Sequence, residues 1–148
     1  MGKREPEHRE SLKQALTNGI NVIDTSTNYM NGQAELLIGD VLSELCENGE
    51  LKREEVFIVS KVGYIQGDLL QNVHEKEASD EGYPECVFMN DQLAHCIHPS
   101  FIADQIDASL TRLNCDCLDL VLLHNPEYFL LDAHQKNPEA HPDKVTYY

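Results

Sequence analysis

Four side chains of different chemistry stand at or just beyond the ends of three apolar runs. Asp24 closes INVID, Lys61 follows VFIVS, His124 follows LDLVLL, and Tyr29 lies five residues past Asp24. A tyrosine with its ordinary pKa near 10 is a poor acid at neutral pH, but a neighbouring ammonium favours the phenolate. Lys61 is the candidate for that ammonium. Asp24 beside it would keep the ammonium charged and positioned against the desolvation of a buried site, and His124 would supply a second hydrogen-bond donor. A phenol and an imidazole aimed at one point suit a carbonyl oxygen on its way to alkoxide, which needs electrostatic stabilisation and then a proton. Each residue also has an ordinary reading: Asp24 as a cap, Lys61 as a surface cation, His124 as a satisfied buried imidazole, Tyr29 as packing. The catalytic reading gains because three chemical types fall on one edge of one sheet.

The elements that must position these groups follow from periodicity. Residues 7–17 carry Leu12, Ala15 and Leu16 on one helical side, and Asn18-Gly19 stops that helix. Residues 20–24 form a compact β-branched run without polar alternation, which predicts a strand covered on both faces, as in parallel sheets. Ala34, Leu37, Ile38, Val41, Leu42 and Leu45 recur at helical spacing, predicting a helix over 33–47 that ends at Asn48-Gly49. A second buried strand is expected over 56–60, a helix from Pro99 to Asn114, and a third strand over 118–123. The order helix, strand, helix, strand, helix, strand joins into a parallel sheet by right-handed crossovers. Active sites of such architectures gather at the C-terminal strand edge, where all three ionisable residues stand.

Two segments break the rhythm. Residues 62–98 separate a strand from its helix and are rich in acidic residues, so they read as a solvated loop insertion or as a lid over the pocket. Residues 127–148 are mostly polar with Pro138 and Pro142, and beyond a short YFLL run they read as an irregular tail.

Composition narrows the partners. The 148 residues include 26 acidic and 11 basic side chains, a net charge of −15, which repels nucleic acid and anionic membrane surfaces. No run approaches the ~20 apolar residues of a membrane span, and the charged start MGKREPEHRE does not resemble a signal peptide. A cytoplasmic protein is expected. Its five cysteines, an odd number, are expected as reduced thiols. Cys86, His95, Cys96 and His98 match none of the usual zinc spacings, so no metal site is predicted.

The run Gly19-Ile20-Asn21-Val22-Ile23-Asp24-Thr25-Ser26, followed by Tyr29, Gly32, Glu35 and Gly39, resembles the signature of the aldo-keto reductase superfamily. Lys61, Ser109 to Leu113, Asp116, Asp119-Leu120 and His124-Asn125-Pro126 agree with it. The resemblance implies a (β/α)8 TIM barrel, NADPH as cofactor, and hydride transfer to an aldehyde or ketone. It implies Tyr29 as proton donor, Lys61 and Asp24 as its tuning pair with Asp24 also on the cofactor side, and His124 as the group that orients the carbonyl. Met30 stands where many members have Gly, Ser26 where Ala is frequent, Asn114 where Gly ends the helix, and Cys117 where an aromatic is common. None of these changes removes a catalytic group.

A full barrel has eight strands in about 250 residues, whereas three are read here. The expected fold is therefore an incomplete α/β barrel of about three βα units, a partial aldo-keto reductase domain across 1–148. Residues that grip the nicotinamide and the adenosine phosphate fall largely in the absent part, so impaired activity is expected. Sheet edges left open would favour self-association. The competing expectation is a non-catalytic barrel fragment that binds another protein or is vestigial.

Overall fold

The computed structural model describes residues 5–136. In chain order its elements are α1 (Glu5–Thr17), β1 (Val22–Asp24), a 3-10 turn (Tyr29–Gly32), α2 (Gln33–Glu47), a second 3-10 turn (Arg53–Glu55), β2 (Phe57–Val62), β3 (Tyr64–Ile65), α3 (Gly67–Ala78), β4 (Val87–Asn90), β5 (Leu93–His95), α4 (Pro99–Leu113), β6 (Leu120–Leu123) and α5 (Glu127–Lys136). They fall into two compact units. The first is Met1–Lys61 with Ile106–Leu122, and the second is Val62–Gln105 with Leu123–Tyr148.

The first unit is built on a three-stranded sheet in the order β1-β2-β6. β1 and β2 pair in parallel, Val22 beside Phe57 and Asp24 beside Val59. β6 runs the same way, since Asp119 N donates to Ile58 O and, further along both chains, His124 N donates to Val62 O. Side chains alternate across such a sheet, and the alternation divides β1 and β2 sharply. Ile23, Ile58 and Ser60 point to the helical side, where Ile23 and Ile58 pack with Leu16, Ile38, Val41, Leu42, Leu45 and Leu113. Fully burying one such apolar side chain stabilises by about 1.5–3 kcal/mol, so this layer holds the unit together. Gly39 lets α2 ride directly on the end of α4: a Cβ there would lie 2.6 Å from the Arg112 carbonyl oxygen. Asn114 then stops α4 at φ 50°, as expected of the next best residue to glycine for a left-handed cap.

The expectation of strands covered on both faces is corrected. Val22 is 55% exposed and Phe57 44%, and Leu120 and Leu122 of β6 are exposed as well. Among the described residues of this unit, helices pack on one face of the sheet only.

The second unit corrects the reading of 62–98 as a loop insertion. β3, β5 and β4 form a separate antiparallel sheet in that order, with Tyr64 opposite His95 and Val87 opposite His95 on its other side. β4 and β5 are a hairpin turned at Asp91-Gln92, where Gln92 N donates to Asn90 Oδ1 at 2.9 Å. Ile65, Leu70, Val73, Ala94, Cys96 and Phe101 form its core. The acidic residues of this stretch are all exposed, Asp68, Glu75 and Glu77 on α3 and Asp80, Glu81, Glu85 and Asp91 in the turns and loops beyond it, and a few apolar residues at the right spacing outweigh them. The irregular tail is corrected in the same way over α5, whereas 137–148 lie outside the described residues.

Candidate active site

The parity that buries Ile58 and Ser60 sends Phe57, Val59 and Lys61 to the opposite face, the one that Val22 and Asp24 share. Lys61 is the last residue of that series in the first unit, at the C-terminal end of the sheet. Its ammonium is in contact with Asp24 Oδ1, donates to the Thr25 carbonyl at 2.9 Å and to the Tyr29 hydroxyl at 3.2 Å, and lies 4.8 Å from the centre of the Tyr29 ring. Burial works against the Lys61 ammonium, but the hydrogen bonds to Asp24 and Tyr29 outweigh it and raise its pKa above the usual 10.5. The lysine is thus a fixed positive charge at neutral pH.

The loop after β1 is tied to the backbone of the same lysine. Thr27 N, Thr27 Oγ1 and Ser26 Oγ all reach the Lys61 carbonyl oxygen at 3.2 Å. Ser26 Oγ also lies 2.6 Å from Asn28 Oδ1. Tyr29 then opens a turn in which Met30 (φ 52°) and Asn31 (φ 57°) are both left-handed. That region costs a residue with a Cβ roughly 1–2 kcal/mol. The turn returns the chain to α2 with the Tyr29 ring over Lys61 and 40% of the tyrosine open to solvent.

Behind Lys61 lies a network that sequence reading did not assign. Glu35 of α2 is fully buried; it accepts from Ser60 Oγ at 2.6 Å, from Ser109 Oγ at 3.2 Å and from Arg112 Nε at 2.8 Å. The Arg112 side chain in turn passes under Gly32, where an added Cβ would come within 3.2 Å of Arg112 Cδ. Glu35 therefore joins the residue before Lys61 to the end of the turn that carries Tyr29. Its place in the motif was visible from the sequence, but its partners were not. Asp119 has a comparable bracing role: it accepts from Ile58 N and from Arg53, both at 2.8 Å, and these bonds hold its carboxyl below the usual carboxylate range.

The structure thus brings Asp24, Tyr29 and Lys61 together in the first unit, whereas His124 belongs to the second. There its backbone N–H donates to Val62 O at 2.8 Å, and its carbonyl accepts from His95 Nε2 at 2.6 Å. Its ring meets Tyr64 edge-on, with centroids 4.4 Å apart. Tyr64 Oη also bonds Asn125 Oδ1 at 3.0 Å and Tyr128 Oη at 3.2 Å. A carbonyl oxygen has no proton to give, so His95 Nε2 carries the proton. His95 Nδ1 has no partner among the described residues, and burial pushes the His95 pKa down from 6.5, the His124 carbonyl only partly countering it. Tyr64 and His95 were missed because they lie in the stretch read as a loop. Asp91-Gln92 is not among the residue pairs that mark a two-residue hairpin, so no local signal announced His95.

A parallel sheet with helices on one side and a phenol, ammonium and carboxylate gathered at its C-terminal edge is consistent with part of an α/β barrel. The comparisons agree. The model of the Aldo/keto reductase family matches residues 2–130. The NADH-specific methylglyoxal reductase of Escherichia coli is 28% identical over 118 residues, which cover 78% of this chain and 30% of that protein. Aldose reductase B of Dictyostelium discoideum is 30% identical over 128 residues, 86% of this chain and 30% of that protein. Among solved structures, an aldo-keto reductase (AKR2E5) complexed with NADPH has the same fold over 92% of this chain and 37% of its own, with a TM-score of 0.56 at 23% identity. The chain belongs to the aldo/keto reductase family, and it spans about 30% of the length of the curated relatives it matches.

Proposed function

We propose that this chain carries the proton-donating half of an NADPH-dependent carbonyl reductase that converts an aldehyde or ketone to an alcohol. The observation that carries this reading is the Lys61 ammonium held between Asp24 and the Tyr29 hydroxyl. The donor set fits the reacting end of a nicotinamide: a fixed cation and a phenol stand at the strand edge with the phenol partly open, and Asp24 borders the same space. When bound, the cofactor supplies the hydride. Tyr29 gives its proton to the oxygen that becomes an alkoxide. Lys61, donating to the phenol oxygen, stabilises the charge left on it. Asp24 and the Thr25 carbonyl keep the ammonium in place, so that the tyrosine need not reorganise its surroundings as the proton leaves. The family resemblance would give His124 the second hydrogen bond to the carbonyl; within its own unit its backbone is held by Val62 and His95. The acceptor is a small carbonyl compound.

NADPH oxidation by the purified chain, with a panel of aldehydes and ketones at high cofactor concentration, tests the proposal. Weak cofactor binding in a fluorescence titration and slow turnover, lost in Tyr29→Phe with binding retained, is the expected result. Equal turnover in the variant would remove Tyr29 from the reaction. Oxidation by no carbonyl at saturating cofactor would favour the alternative, a barrel fragment that binds another protein.

A further inference from the structure

Cys86 and Cys96 flank the β4-β5 hairpin of the second unit. Val87 faces His95 and Phe88 faces Ala94, so the next rung outward sets Cys86 opposite Cys96 with both side chains on one face of the sheet. Facing residues of an antiparallel ladder have Cα atoms about 4.5 or 5.5 Å apart, within the roughly 4.4–6.8 Å that a disulfide requires. Both thiols are free, and Cys96 Sγ donates to the carbonyl of Pro84, two residues before Cys86, at 3.6 Å. Cys96 is fully buried in the core of the unit, whereas Cys86 is only partly covered. No other cysteine of the chain is on this sheet.

We infer that Cys86 and Cys96 form a reversible dithiol–disulfide couple, with Cys86 as the entry thiol and Cys96 as the resolving thiol, oxidised by exchange with a low-molecular-weight disulfide. In the first step the Cys86 thiolate attacks one sulfur of the small disulfide, and one small thiolate leaves. Cys96 then attacks Cys86 Sγ in the mixed disulfide and expels the second. Two protein thiols are oxidised, one small disulfide is reduced to two thiols, and the two protons pass to them. The neighbouring Cys96 thiol and burial push the Cys86 thiol up, so the entry step is the slow one and quickens as pH rises. Adjacent to Cys96, His95 is the residue that holds the His124 carbonyl, so the cross-link would stiffen the strand that positions His124.

The reduced chain, with Cys46, Cys115 and Cys117 replaced by Ser, is incubated with oxidised glutathione and followed by intact mass and peptide mapping. An internal Cys86–Cys96 disulfide without retained glutathione is expected, reversed by dithiothreitol, while circular dichroism stays native. Cys96→Ser should trap glutathione on Cys86, and Cys86→Ser should leave Cys96 unmodified until the chain unfolds. Retained glutathione on Cys86 in the parent, or two thiols still free while the chain remains folded, would overturn the inference. Should Cys96→Ser fail to fold, the parent's own product, internal bond or retained adduct, decides. None of these readouts depends on carbonyl reduction, so they stand or fall apart from the proposed activity.

Discussion

Lys61 Nζ lies 3.2 Å from the Tyr29 hydroxyl and 4.8 Å from the centre of the ring that bears it. The same ammonium therefore meets the phenol at its oxygen and over its face, an arrangement that favours negative charge on the oxygen. Tyr29→Phe keeps the ring and removes the acid. It should lower kcat by about 100-fold or more, the usual scale of a general acid, while cofactor affinity changes little. Lys61→Met should lower kcat comparably, because the charge left on the phenol oxygen loses the ammonium that stabilises it. Steady-state kinetics of both variants with one carbonyl substrate checks it.

The ion pair of Glu35 and Arg112 should reveal itself in stability before activity. Glu35→Ala leaves Arg112, Ser60 and Ser109 without their shared acceptor, and breaking a buried pair in this way costs about 3 kcal/mol or more. Glu35→Gln retains the shape and should cost less. Urea denaturation of both variants tests the order, and a smaller loss for Ala than for Gln would contradict the network.

How much of this was legible beforehand depends on which residues are considered. Asp24, Lys61 and Tyr29 could be placed because strand periodicity fixes which side chains share a face and where a strand ends, and their motif constrained them further. Glu35 was visible only as a letter in that motif. Its partners Ser60, Ser109 and Arg112 come from three distant places in the chain, and no local pattern announces a meeting of that kind. Residues 62–98 were misread because composition was weighed above spacing: Leu69, Leu70 and Val73 suffice to seat α3 even though its other positions are mostly polar.

Stability should also depend on pH through His95. Its pKa is depressed by burial, so as pH falls through about 6.5 the unfolded chain takes up a proton that the folded chain resists. This contribution is fully present above the unfolded pKa and is lost as the solution becomes more acidic. Chemical denaturation at about pH 7.5 and about pH 5.5 should give a lower midpoint at the second, and His95→Gln should flatten the difference. An unchanged slope in the variant would assign the effect to another group.

Met30 offers a gain instead of a loss. Its side chain is 58% exposed and its φ is 52°, so the residue bears the left-handed strain without much burial in return. Met30→Gly should raise stability by roughly 0.5–1 kcal/mol, the relief of strain less the added freedom of the unfolded chain. A thermal scan is enough to check it.

The sheet face on which Val22, Phe57, Leu120 and Leu122 meet water has a calorimetric consequence. Hydrocarbon that is already hydrated in the native state contributes nothing new to the solvent shell on melting, and the heat-capacity increment of unfolding tracks newly wetted apolar area. For its length, this chain should therefore show a small increment, a shallow denaturant slope and a broad, flat curve of free energy against temperature.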